Sequence, residues 1–309
     1  PNASDLLGFR LGMTDSHIFS FAPGRDDYGL DIGAPVVVDV DGNQTVLDFP
    51  STPAGNGFGR NALYMDIDGN GIDDLVLSAH SMPNGPDDHD VGNLWYCPDG
   101  DTSDCNHPLN LDWYNKYYSN QAGLSMDKGD FDGDGDDELI VLLYSTSRPS
   151  DYNDFGSAPN TSSCTGYVNN VSAFLIYDTS DFSQPRAMIY GETTSNYMTR
   201  LISGFDFNND GKDDVMLTGT GLYMVYGQEF SGAATQIICP DGYIDIENEA
   251  GKEININSIG DLDSDGCDDV AMGNPKEEMV RILWGGGNSC SASTPTVSIL
   301  HASAGDPYN

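Results

Sequence analysis

The stretch GDFDGDGDDELIVLL, residues 129–143, decides how the rest of the chain is read. Asp130, Asp132 and Asp134 alternate along it, Gly135 follows, and Glu138 closes a nine-residue turn before an apolar run begins. Carboxylates packed this closely repel one another; without a counter-charge they open the turn or raise their own pKa values. A hard divalent cation removes the repulsion, and an all-oxygen donor set selects Ca2+ over softer metals. The glycine permits the positive φ that so tight a turn needs.

The same unit occurs four times, at residues 66–74, 130–138, 206–214 and 261–269, with starts 64, 76 and 55 residues apart. Positions 1, 3 and 5 carry side-chain oxygens: Asp66, Asp68 and Asn70; Asp130, Asp132 and Asp134; Asp206, Asn208 and Asp210; Asp261, Asp263 and Asp265. Position 6 is always glycine, and position 9 is always a carboxylate: Asp74, Glu138, Asp214 and Asp269. Position 7 would offer only its backbone carbonyl, so its side chain varies through Ile72, Asp136, Lys212 and Cys267. Position 2 is apolar throughout (Ile67, Phe131, Phe207, Leu262), and position 8 is always Asp (Asp73, Asp137, Asp213, Asp268). An EF-hand opens in the same way but requires Glu at position 12 and flanking helices. Position 12 here is Leu77, Val141, Leu217 or Met272, and the flanks read as short buried strands.

These turns resemble the DxDxDGxxD loops of FG-GAP/VCBS repeats, the units of integrin α-subunit-like β-propellers. Gly57-Phe58-Gly59 before the first copy is similar to the FG element, and Gly273-Asn274-Pro275 after the fourth to the GAP element. Ser78-Ala79-His80 and Thr218-Gly219-Thr220 stand in the GAP place of two other copies. The resemblance implies an all-β fold, a β-propeller whose loops join adjacent strands of a blade and bind Ca2+, about four ions in all. It also implies an adhesion or structural role rather than catalysis.

Strand-like segments fit that expectation. NALYMDI, DLVLSA and NLWYC surround the first turn; SMDKGDF, ELIVLLY and SAFLIYD the second; LISGFDF, DVMLTG and LYMVYG the third; NSIGDL, DVAMG, VRILWGG and TVSILHA the fourth. A lone four-stranded sheet exposes both faces, and stacking repeats buries them. The expected organisation is one propeller domain over residues 1–309, with four calcium-loop blades over 57–305 and about five to seven blades in total. Residues 1–60 are less regular and would form an N-terminal blade or closure segment. Within them Asp39-Val40-Asp41-Gly42-Asn43 mimics a calcium loop, but Gln44 replaces the glycine, so it reads as a hairpin turn.

Charge narrows the function. The 309 residues hold 49 acids against 12 Lys and Arg, a net charge of −37, and four Ca2+ ions would leave about −29. Nucleic acid and anionic membranes need a basic patch and are poor partners. No apolar run approaches the roughly 18–20 residues of a membrane helix, which argues against membrane insertion. The chain starts at Pro1 without an initiator Met or signal peptide, which reads as a mature or trimmed product.

Six cysteines without CxxC pairs (97, 105, 164, 239, 267 and 290) suit disulfides in an oxidising compartment. Cys97 and Cys105 bracket Pro98-Asp99-Gly100 and are the expected pair; the pairing of Cys164, Cys239, Cys267 and Cys290 stays open. Asn2, Asn43, Asn160 and Asn170 head glycosylation sequons. These features place the protein outside the cell or on its surface.

No catalytic constellation stands out. Carboxylate pairs are too abundant to be informative, no serine or cysteine sits in a nucleophile motif, and His89 and His107 fall in polar loops. The leading expectation is a non-enzymatic scaffold that binds a protein partner or itself, including assembly into a surface filament. Long segments at 80–122 and 146–170 would carry the contacts. A carbohydrate-binding lectin is the alternative, with Trp113, Tyr114, Tyr117 and Tyr118 as stacking surfaces. A polysaccharide lyase-like enzyme ranks third.

Overall fold

The computed structural model describes residues 11–13, 17–22, 34–39, 41–46, 58–79, 92–105, 107–109, 122–146, 171–190, 200–218, 222–230, 236–238, 241–244, 255–274, 279–287, 290 and 296–301. The described residues are all-β, with a single turn of 3-10 helix at Pro98–Gly100. The short apolar runs that follow the acidic turns become central strands, as their β-branched and aliphatic content favours.

Five sheets are formed among the described residues. The first contains β1 (Leu11–Met13), β2 (His17–Ala22), β3 (Ala34–Asp39) and β4 (Gln44–Val46) in sequence order. The second contains β5 (Phe58–Met65), β6 (Asp74–Ala79), β7 (Asn93–Cys97) and β8 (His107–Leu109), and the third β9 (Met126–Gly129), β10 (Glu138–Thr146), β11 (Val171–Tyr177) and β12 (Ala187–Tyr190). The fourth comprises β13 (Arg200–Phe205), β14 (Asp214–Thr218), β15 (Leu222–Val225) and β17 (Gly242–Ile244); β16 (Gln236–Ile238) instead joins the third sheet, parallel to β12. The fifth comprises β18 (Asn255–Gly260), β19 (Asp269–Asn274), β20 (Met279–Trp284) and β21 (Thr296–His301).

Each acidic turn connects the first and second strands of a sheet. Met65 pairs with Asp74, Phe205 with Asp214 and Gly260 with Asp269 across antiparallel strands, so positions 1 to 8 form the connection and position 9 opens the second strand. Asp41, Gly42 and Asn43 lie between β3 and β4, which pair antiparallel with Val38 opposite Gln44, and Gly42 stands at φ 83°. The two strands form a hairpin, as the sequence pattern predicts.

The chain divides into two compact units. The first consists of Pro1–Lys128, Asp137–Thr199 and Ser231–Cys239, the second of Gly129–Asp136, Arg200–Phe230 and Pro240–Asn309. In the first, the second sheet has both faces covered. Met65, Ile67, Val76 and Leu94 pack with Met126, Leu139, Val141, Leu175 and Tyr177 of the third sheet, while Leu75, Leu77 and Trp95 pack on the other side with Val37. Strand alternation puts Leu75 and Leu77 on one face and Val76 on the other, so β6 is buried along its whole length. Each such aliphatic side chain contributes about 1.5–3 kcal/mol by leaving water. Polar groups stitch the same packing: the buried Asn61 side chain donates to the carbonyls of Gly123 and Leu124, 2.9 and 2.6 Å away, and its amide donates to Ser78 Oγ.

The second unit repeats this plan. Phe205, Phe207, Met216, Leu222 and Met224 of the fourth sheet and its turn pack against Ile256, Val270, Met272 and Leu283 of the fifth. The Arg200 guanidinium also donates to Asn255 Oδ1 between the two sheets.

Candidate metal centres

The turns are built from the same hydrogen bonds. In the first, both carboxylate oxygens of Asp66 accept backbone N–H groups: Oδ1 from Gly69 (2.8 Å) and Asn70 (3.0 Å), Oδ2 from Gly71 (2.7 Å). Asp206 takes Asp210 and Gly211 at 3.0 and 2.8 Å, Asp261 takes Asp265 and Gly266 at 3.0 Å each, and Asp130 takes Gly133 and Gly135 at 2.7 and 3.1 Å. Position 5 accepts the N–H of position 7 in every copy: Asn70 from Ile72, Asp134 from Asp136, Asp210 from Lys212 and Asp265 from Cys267. The turns wind their oxygens inward, with the position-6 glycines at φ 85° to 99°.

Position 9 is buried and doubly bonded in three copies. One oxygen of Asp74, Asp214 and Asp269 accepts the position-2 N–H of its own turn (Ile67, Phe207, Leu262), each at 2.8 Å. The other accepts an N–H just past the third strand of the sheet: Asp99 at 2.8 Å, Gly227 at 2.9 Å and Gly285 at 2.8 Å. A carboxylate oxygen has two lone pairs, so these bonds leave acceptor capacity for an ion. The second copy is divided between units: Asp130–Asp136 lies in the second, and Glu138, buried, opens β10 in the first.

The donor chemistry fits a hard cation. The carboxylates of Asp66, Asp68 and Asp74 lie within 4.8 Å of one another, as do those of Asp261, Asp263 and Asp265. Asp206, Asn208 and Asp210 supply the corresponding oxygens in the third turn, where Asn208 Nδ2 donates to Asp210 Oδ2. Desolvation raises three of these carboxyls. Burial pushes the Asp214 carboxyl up to about 7; N–H donation from Gly227 and Phe207 opposes this, and the Asp206 and Asp210 charges add to it. Burial raises Asp74 as well, and Asp263 is raised by desolvation and by the charges of Asp265, Asp269 and Asp261. A bound divalent ion would reverse the sign of that local field.

The apolar position 2 is not treated alike in the four copies. Ile67, Phe131 and Phe207 are buried, but Leu262 is 58% exposed. In the third turn the ring of Phe207 has the fifth sheet to pack against; no described sheet follows the fifth in the chain. Several determinants were also missing from the sequence reading. Asp99 and the glycines Gly227 and Gly285 hold position 9; the signal for the two glycines was the Tyr226-Gly227 and Trp284-Gly285 pairs at equivalent places, which Asp99 does not share. A Cβ on Gly227 would lie 2.6 Å from the Asp213 carbonyl oxygen, and one on Gly285 2.5 Å from that of Asp268.

Cys97 and Cys105 form a disulfide around Asp99, which sits at φ 51° and whose Oδ1 accepts from Asn70 Nδ2 at 2.8 Å. Cys267 is joined to Cys290, so position 7 of the fourth turn is covalently tied and its sulfur is no thiolate ligand. Asn43 is exposed. Asn2, Asn160 and Asn170, Cys164 and Cys239, His80 and His89, and Trp113, Tyr114, Tyr117 and Tyr118 lie outside the described residues. Among the described residues no helix is long and apolar enough to cross a membrane.

No family model matches the chain. Among proteins of known sequence it is similar to integrin alpha-8 of Gallus gallus, 24% identical over 204 residues, which covers 60% of this chain and 17% of that protein. The chain thus spans under a fifth of that relative's length. Among solved structures it aligns with a 6-phosphogluconolactonase-like protein of Bacteroides fragilis at TM-score 0.45 and 11% identity, over 94% of this chain and 70% of that one. BBS1N in its complex with ARL6DN aligns at TM-score 0.34 and 10% identity, over 81% and 74%. Both structural scores are too low to carry an argument.

Proposed function

We propose that the chain is a calcium-stabilised β-propeller of FG-GAP/VCBS type, a single domain over residues 1–309, acting outside the cell as an adhesion or structural scaffold. The observation that carries this reading is one oxygen-lined turn, repeated with the same hydrogen bonds at the first hairpin of successive sheets. The similarity to an integrin α-subunit points the same way. Each ion would be held by positions 1, 3, 5 and 9 and by the position-7 carbonyls of Ile72, Asp136, Lys212 and Cys267. Calcium supplies the counter-charge, and the protein supplies the shape of the turn.

Two disulfides among the described residues and a net charge of −37 suit an oxidising, calcium-rich setting and a partner that is a protein rather than nucleic acid. Self-association is included, because Ca2+ screens acidic surfaces that would otherwise repel.

Isothermal titration with CaCl2 tests the ion, and light scattering with and without CaCl2 tests assembly. About four ions per chain and a calcium-dependent rise in mass or partner capture are expected. Absence of binding would remove the calcium reading; a monomer that captures no protein in either state would remove the scaffold reading.

A further inference from the structure

Position 8 has no place in the ligand set, yet it is Asp in all four copies. The structure gives it a task in the second unit. Asp213 of the third turn reaches back to position 1 of the second: its Oδ2 accepts the Asp130 N–H at 2.9 Å, and its own N–H donates to the Asp130 carbonyl at 2.8 Å. Asp268 of the fourth turn treats Asp206 of the third identically, at 3.1 and 3.0 Å. Position 2 is held alongside, since the Phe131 carbonyl accepts from Gln228 and the Phe207 carbonyl from Gly286, at 2.8 and 2.9 Å. Both backbone polar groups of a ligand-bearing residue are therefore fixed by the following turn. Asp137, at position 8 of the second turn, pairs instead with Lys128 Nζ at 2.7 Å.

We infer that Asp213 and Asp268 are positioning residues that couple the second, third and fourth turns, so that filling one with Ca2+ raises the affinity of the turn before it. This rests on the calcium reading above. An ion gripped by positions 7 and 9 immobilises the residue between them. The immobilised Asp then presents its carboxylate and N–H to the preceding turn, whose position 1 no longer has to be ordered by its own ion. Ordering met once is not met again, which is positive coupling without any change of ligands. Two hydrogen bonds to a partly buried backbone correspond to a coupling of about 5- to 30-fold in affinity.

The test uses the full chain and CaCl2 as the only probe, with wild type, Asp213→Ala and Asp213→Asn compared by calorimetric titration at one temperature. Both variants delete the same charge, so a general electrostatic effect lowers affinity equally in the two. Asn keeps an oxygen that can accept the Asp130 N–H, and Ala does not. The expected result is a wild-type isotherm steeper than independent sites allow, flattened and weakened about 5- to 30-fold in Asp213→Ala and largely restored in Asp213→Asn. Indistinguishable Ala and Asn isotherms overturn the coupling.

Should the alanine variant lose its wild-type circular dichroism, hydrogen exchange on the wild type decides. The Asp130 and Asp213 amides gain protection at the same calcium concentration if the coupling holds, and at separate concentrations if it does not. A wild type that binds no calcium at all overturns the underlying metal reading instead, so the two failures are told apart.

Discussion

The turn at Asp66 and the turn at Asp206 share one nine-residue pattern but have different supports. In the third turn, position 9 is held by Gly227, a residue with no side chain, because the chain there runs against the backbone of Asp213 and Phe131. In the first, the corresponding donor is Asp99, inside a loop closed by Cys97–Cys105, and its own carboxylate reaches Asn70. The third turn also has position 1 fixed by Asp268 of the following turn. One copy is braced covalently and locally, the other by close approach of neighbouring turns. Identical ligand patterns therefore need not have identical stability or affinity.

Removing calcium should have the largest effect and should strip both kinds of support. At calcium concentrations near 100 times the dissociation constant each site contributes about 2.7 kcal/mol. Four sites translate into a fall in the thermal midpoint of about 10 °C or more in calorimetry after exhaustive chelation. An unchanged midpoint would mean that both turns keep their shape through hydrogen bonds alone, and the comparison would lose its chemical basis.

Close approach is tested next. Gly227→Ala should cost about 3 kcal/mol or more in denaturant unfolding, because its Cβ would meet backbone oxygens at 2.6 and 2.9 Å. Gly211→Ala, at φ 86° with nothing within 4 Å of the new atom, should cost about 1–2 kcal/mol from backbone strain alone. Equal costs would show that the glycine past the third strand is not a point of tight contact.

The covalent brace should matter slightly less. Replacing Cys97 and Cys105 together by Ser frees a short loop and should cost about 2–3 kcal/mol. Hydrogen exchange should quicken at Asp99 and Ile67 of the first turn and stay unchanged at Phe207 of the third. Equal quickening in both would erase the distinction between the two supports.

The smallest effect is in pH dependence. Folded Asp214 titrates near 7 rather than at the ordinary 3.8, so the folded, calcium-free protein binds that proton more tightly than the unfolded chain. Its contribution is therefore most favourable below about pH 4 and declines as the pH rises toward about 7. A midpoint falling by a few degrees across this window is expected in calcium-free buffer, and Asp214→Asn should flatten it. With calcium present the slope should reverse, because the ion needs ionised ligands.

Much of this was legible in the residues. The four acidic turns, their glycines and the apolar runs after them are local signals, and local sterics and charge repulsion act on neighbours in the chain whatever the fold. The hairpin of β3 and β4 was readable for the same reason: the glycine that a calcium loop needs is visibly replaced by Gln44. Cys97 and Cys105 were readable because a short loop with Pro98 and Gly100 brings them together.

What the amino-acid order could not supply lies between repeats. That Asp213 serves Asp130 across 83 residues, that Asp268 serves Asp206 across 62, and that Cys267 pairs with Cys290 rather than with another of the open cysteines are decisions of packing. Leu262 shows the same division from the other side, since it shares its place in the pattern with the buried Ile67, Phe131 and Phe207 and its surroundings leave it exposed. The sequence by itself determined an all-β chain with four oxygen-lined turns, because propensity, periodicity and charge density are properties of short segments. Tertiary structure alone decided how each turn is supported, because a hydrogen bond or a van der Waals contact between distant segments exists only once the sheets have stacked.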